Sequence, residues 1–94
     1  VSGLETYHAP DSADSRRLAQ SIHTNLVQTL EVGDRGIRPA TFALLRQPNP
    51  AVHLELGYLT GEADFAHLTD SDYRQRLGKA IALALVQGVK QAVG

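Results

Sequence analysis

The 94-residue chain contains no cysteine, which excludes a disulfide framework and any metal site built on thiolates. That suits an exported protein without requiring one. Charge of one sign is lacking too. The formal net charge is −1, so nothing in the composition points to nucleic acid or to an anionic membrane surface as a partner. No apolar run approaches the length of a membrane span, and no stretch reads as a secretory signal. There is no internal repeat and no low-complexity segment. Methionine is absent as well, and the chain opens on Val1. A translated chain begins with methionine, so the expectation is a processed or truncated piece of something longer. The length allows a modest core within one domain, not two.

What is present is organised around Pro50-Ala51-Val52-His53-Leu54-Glu55-Leu56-Gly57-Tyr58-Leu59-Thr60-Gly61. Residues 51–56 read as a buried strand, with glycine turns available at Gly57 and Gly61. Successive strand side chains point to opposite faces, so Val52, Leu54 and Leu56 share one face and His53 and Glu55 the other. A carboxylate near the end of an apolar strand is costly to bury without a cation, a hydrogen-bond donor, a metal or a water to act on. Glu55 is therefore the first residue to suspect of chemistry. The plain alternative is an acid that faces solvent or pairs with an arginine.

Residues 3–8, Gly-Leu-Glu-Thr-Tyr-His, read as a strand with Leu4, Thr6 and His8 on one side and Glu5 and Tyr7 on the other. Pro10 ends it. A helix is expected from Ala13 or Asp14 to Glu31, capped from Asp11, Ser12 or Asp14, with Leu18, Ile22, Leu26 and Leu30 as its inward stripe. Residues 34–40 read as a loop in which Asp34 caps its own backbone and Gly36 supplies an unusual dihedral. Arg35 in that loop has three readings: a pair with Glu5 or Glu55, a contact with a substrate carboxylate, or a solvated surface pair. Residues 41–46 read as the next strand, and 47–50 as a stiff proline link. Two apolar strands in succession imply a sheet covered on both faces. Thr60 would cap a short helix over 62–67, anchored by Phe65 and Leu68. A last helix from about Thr69 would turn Tyr73, Leu77, Ile81 and Leu85 inward, with the nearby Ala80, Ala84 and Val89, and Gly78 and Gly88 would weaken it. The order is strand, helix, strand, strand, short helix, long helix: an α/β pattern, part of a mixed sheet flanked by helices.

Three groups of residues resemble the zinc-dependent N-acetylmuramoyl-L-alanine amidases, the Amidase_3 family of peptidoglycan hydrolases. They are Pro-Ala-Val-His-Leu-Glu-Leu-Gly-Tyr-Leu-Thr at 50–60, Gly-Leu-Glu-Thr-Tyr at 3–7 and Asp-Arg-Gly at 34–36. The resemblance runs over essentially the whole chain in one register. It implies that residues 1–94 are the C-terminal part of a single amidase catalytic domain, with Glu55 at the place of the family's catalytic glutamate. It implies one zinc ion that supplies a bound hydroxide and polarises the amide carbonyl, while the glutamate moves the proton. The family's zinc ligands lie upstream of the Gly-Leu-Glu-Thr-Tyr strand, so none is expected within this chain. Isolated residues 1–94 should then bind zinc weakly and hydrolyse nothing. They should also expose an apolar edge toward the N-terminal half of the same domain, which becomes an expected partner beside peptidoglycan. The implied location is the bacterial periplasm or the extracellular cell wall.

The chain departs from the family in having His8 where a second aromatic is usual and Thr60-Gly61 where Ser-Asn often stands. Ser21-Ile22-His23-Thr24-Asn25 has the letters of a family zinc motif but lies inside a helical pattern, so His23 reads as a helix-surface or boundary histidine. His53 reads as a core-facing or active-site wall residue, and His8 and His67 as surface residues. His53 and Glu55 share a strand face and could both touch one metal, yet zinc needs at least a third ligand. Two other readings stand beside the enzyme: a degenerate, non-catalytic amidase-like module that binds cell-wall peptide or a partner protein, and an unrelated small α/β domain with a structural Glu55.

Overall fold

The computed structural model describes residues 3–30, 32–46, 49–57 and 62–93, and the side chains of the last helix as far as residue 88. The elements are β1 (Leu4–His8), α1 (Ala13–Leu30), β2 (Asp34–Pro39), a 3-10 turn (Ala43–Leu45), β3 (Val52–Glu55), α2 (Glu62–Leu68) and α3 (Ser71–Val93). The three strands form a mixed sheet in the order β2-β1-β3. β2 runs parallel to β1 after the α1 crossover, and β3 runs antiparallel to it. The α/β class and the element order agree with the sequence reading, with one strand displaced.

That displacement has a physical reason. The stretch expected to be a loop, 34–40, carries strand β2, whose turn chemistry survives as an irregularity. Asp34 Oδ1 accepts a hydrogen bond from the Gly36 amide at 2.8 Å, Gly36 has φ +93°, and the register against β1 shifts between Leu4 and Thr6. The stretch expected to be a strand, 41–46, is not one. These residues pair with no strand of the sheet; Phe42 packs edge-on against Tyr7 and His53, and the segment closes a 3-10 turn, Leu45 N to Phe42 O and Arg46 N to Ala43 O. Only Leu45 is buried there, while Phe42 and Leu44 are exposed.

The inward face of β1 carries Leu4, Thr6 and His8, as the alternation requires. Leu18, Ile22, Leu26 and Leu30 of α1 form the core with Leu4 and with Tyr73, Leu77, Ala80 and Ala84 of α3, and Val52, Leu54 and Leu56 pack against it. Ser12 caps α1 by accepting from the Ser15 amide at 3.1 Å. In α3 the buried stripe continues through Ala80 and Ala84 to Gly88, while Leu85, expected inward, is exposed and Ile81 is half-buried. Small residues set this choice. A Cβ at Gly88 would stand 2.9 Å from Leu18 Cδ1, so the glycine that weakens α3 as a helix lets it approach α1 closely.

Further expectations are corrected. β3 is half-buried, not buried, and spans four residues. With 41–46 outside the sheet, the premise for covering both faces falls: the core lies on the Leu4 side of the strands. In α2, Phe65 is exposed, and Asp64 turns inward to accept from the Gly3 amide at 3.0 and 3.2 Å. A buried carboxylate takes the apolar anchor's place because an otherwise unpaired amide awaits it. Tyr58, Leu59, Thr60 and Gly61 and the side chain of Val89, and the expectations attached to them, lie outside the described residues.

Candidate active site on the open face of the sheet

The face of the sheet opposite the core gathers Glu5 and Tyr7 from β1, Arg35 and Arg38 from β2, and His53 and Glu55 from β3. The strand register builds it. Glu5 pairs with Glu55 and Tyr7 with His53 across the antiparallel ladder, and Tyr7 pairs with Arg38 across the parallel one. Residues directly opposite one another share a face, so one row, Arg38-Tyr7-His53, crosses three strands and a second, Glu5-Glu55, crosses two.

The two glutamates differ sharply. Glu5 is 3% exposed. Its Oε2 accepts from Arg38 Nε at 2.5 Å, its Oε1 accepts from the Tyr7 hydroxyl, and Arg35 Nη2 stands 3.8 Å from Oε1. The Tyr7 hydrogen bond, aided by both guanidinium groups, holds its carboxyl below the usual carboxylate value against the opposing effect of burial. Glu55 keeps about a third of its side chain exposed, and its recorded neighbour is His53, whose Nε2 lies 3.3 Å from Glu55 Oε1. One carboxylate is fully engaged in holding cations. The other remains accessible to a reactant.

His53 does not face the core: its side chain is partly exposed on the open face, against one of its two sequence readings. Its ring meets Phe42 edge-on with centroids 5.1 Å apart and lies 5.9 Å from Tyr7, while Tyr7 and Phe42 also pack edge-on. Arg35 pairs with Glu5 and is mostly shielded, so of its sequence readings the pair with Glu5 is the one seen. Glu5, Tyr7, Arg38 and Phe42 escaped the sequence reading as site residues. The alternation of β1 placed Glu5 and Tyr7 on one face, but with 34–40 read as a loop Arg38 had no face.

The other histidines are corrected. His8 is buried, and its Nδ1 donates to Ala9 O at 2.9 Å. It lines a cavity of about 440 Å³ with Pro10, Arg16, Gln20, Ile37 and Pro39, on the side of the sheet away from Glu55. His67 is half-buried and stacks on Tyr73, with centroids 4.4 Å apart. His23 lies in a helix as expected, but it is 4% exposed rather than at the surface. Its Nε2 donates to Asp34 Oδ1 at 2.7 Å, and its Nδ1 accepts from the Thr6 hydroxyl at 2.8 Å, tying α1 to both parallel strands. Thr6 is fully buried and no reactant reaches it, so this Thr-His-Asp chain is structural.

A catalytic zinc takes three protein ligands. Among the described residues no three His, Asp or Glu side chains converge. His53 and Glu55 supply two donors, and Glu5 is committed to arginine. These residues do not make a zinc site on their own.

Residues 1–87 match the N-acetylmuramoyl-L-alanine amidase family, Amidase_3. The chain belongs to that family. It is 37% identical over 84 residues to the uncharacterized protein YqiI of Bacillus subtilis, covering 86% of this chain and 41% of that protein. It is 32% identical over 82 residues to the N-acetylmuramoyl-L-alanine amidase LytC of the same organism, covering 84% of this chain and 16% of LytC. The crystal structure of an N-acetylmuramoyl-L-alanine amidase from Clostridium difficile superimposes with a TM-score of 0.88 at 29% identity, over 96% of this chain and 50% of that one. The chain thus spans half or less of the length of these relatives.

Proposed function

We propose that this chain is the part of a peptidoglycan amidase that carries the proton-handling carboxylate. The substrate of this reading is the amide between N-acetylmuramic acid and L-alanine, in the bacterial periplasm or the cell wall outside the cell. The observation that carries it is the contrast between the paired glutamates. Two acids face one another across the ladder, and only Glu55 is left accessible beside a histidine and an aromatic wall. Family membership supports it, as does the similarity to LytC, named an N-acetylmuramoyl-L-alanine amidase.

In this reading Glu55 accepts the proton of the attacking water as the water adds to the amide carbonyl. It then delivers that proton to the departing nitrogen of L-alanine, so one carboxylate serves both halves of the hydrolysis. His53 borders the carboxylate and orients it through the 3.3 Å contact. Tyr7 and Phe42 narrow the open face around it. The reading requires one zinc ion with ligands from outside these 94 residues, held by the N-terminal half of the same domain. Isolated residues 1–94 then bind zinc weakly and leave the amide intact.

Incubation of the full-length protein with purified peptidoglycan tests the bond assignment. New free amino groups on L-alanine, without new reducing ends, are expected. Release of reducing ends, or no new amino groups, would contradict it. A second reading, a non-catalytic module on the same face, predicts binding of cell-wall peptide without new amino groups.

A further inference from the structure

The guanidinium of Arg38 is fixed from behind and free in front. Its Nε donates to Glu5 Oε2 at 2.5 Å, and among the described residues it has no other polar partner. The carboxylate that fixes it is buried, while the Arg38 side chain is 63% exposed. A guanidinium held through Nε still presents both terminal amino groups as a fork matched to a carboxylate, and being held already it loses little freedom on binding. Two guanidinium groups, Arg38 and Arg35, face the buried Glu5 carboxylate.

Position adds the second observation. Arg38, Tyr7 and His53 stand in one row across the sheet, with Glu55 beside His53. Neighbouring strands are about 4.8 Å apart, so the two ends of the row are separated by roughly 10 Å. An extended peptide advances about 3.3 Å per residue. Glu55 lies two residues along β3 from His53, opposite the Glu5 that holds the Arg38 guanidinium, so a peptide whose first residue lies at Glu55 brings the carboxylate of its second residue toward that guanidinium. Glu55 repels an anion on the β3 side of the face, which leaves the Arg38 side as the favourable place for one.

We propose that Arg38, clamped by Glu5, is the carboxylate-reading residue of this face, and that its ligand is the free α-carboxylate of the second residue of the wall peptide. The inference rests on the reading that the open face takes cell-wall peptide, and it adds a specificity: acid forms of the peptide are preferred over amidated ones.

Calorimetry on the full-length protein tests it, in the Glu55→Gln background so that nothing turns over. The probes are N-acetylmuramoyl-L-alanyl-D-isoglutamate and its isoglutamine counterpart, which differ only in that carboxylate. The acid is expected to bind about tenfold tighter, as one exposed charge-assisted fork provides. Arg38→Gln should erase the difference, the acid losing its advantage over the amide. Equal affinities, a preference that survives Arg38→Gln, or binding of neither probe would overturn the proposal. Because binding is read rather than turnover, this failure is separate from a failure of Glu55 as the catalytic acid–base, which shows as retained cleavage by Glu55→Gln.

Discussion

The two faces of the β1–β3 sheet come from alternate residues of the same strands and are held by different forces. On the core side, Leu4, Val52, Leu54 and Leu56 meet apolar stripes of α1 and α3, and the polar members Thr6 and His23 are fully paired. On the open side, two carboxylates, two guanidinium groups and a histidine stand with two aromatic rings, Tyr7 and Phe42. Burial of apolar surface fixes the first face. Charge pairing around one buried acid fixes the second and leaves its neighbour available. Stability and chemistry should therefore separate cleanly when the faces are altered one at a time.

The largest stability loss belongs to the core side. Leu26 is completely buried in α1, and Leu26→Ala should cost about 2–5 kcal/mol in chemical denaturation. Any folded fraction should keep the ligand preferences of the open face. Next comes the polar tie between α1 and the strands. His23→Ala leaves the Thr6 hydroxyl without this partner and the Asp34 carboxylate with the Gly36 amide, and should cost about 1–3 kcal/mol, read in the same assay. A smaller effect is its pH dependence. The His23 hydrogen bond, then the Gly36 amide, hold the Asp34 carboxyl below its ordinary value of 3.8. A depressed carboxyl contributes stability that is fully present above the unfolded-state value and is lost as pH falls through the folded one. A thermal melt series should thus show Asp34→Asn narrowing its gap to the unaltered protein below about pH 4. The gap should be modest even at neutral pH, since more than half of the Asp34 side chain is exposed.

The sequence was most readable where one period ruled a segment. Alternation placed Leu4, Thr6 and His8 opposite Glu5 and Tyr7, and placed His53 with Glu55; the four-residue recurrence from Leu18 to Leu30 gave α1 to within a residue. It failed where pairing partners decided the outcome. Residues 34–39 carry turn chemistry yet form a strand, because the free edge of β1 accepts them. Residues 41–46 carry strand composition yet turn, with Phe42 packed on the Tyr7 and His53 rings and no strand pairing. The site was half legible for the same reason. Glu55 stood out as an acid on an apolar strand, whereas the clamp of Glu5 on Arg38 depends on a register between β1 and β2 that no local pattern encodes. The exposure of Phe65 and the burial of Asp64 likewise follow from the long-range demand of the Gly3 amide.

The division between the two faces stands on Glu55 as the acid that works. The direct measurement is cleavage of purified muropeptide by full-length Glu55→Gln protein, with zinc content and melting temperature determined on the same sample. The rate should fall by about 10²–10⁴-fold, the range of general acid–base catalysis, with metal content and stability unchanged. Cleavage within a few-fold of the unaltered rate would contradict the account.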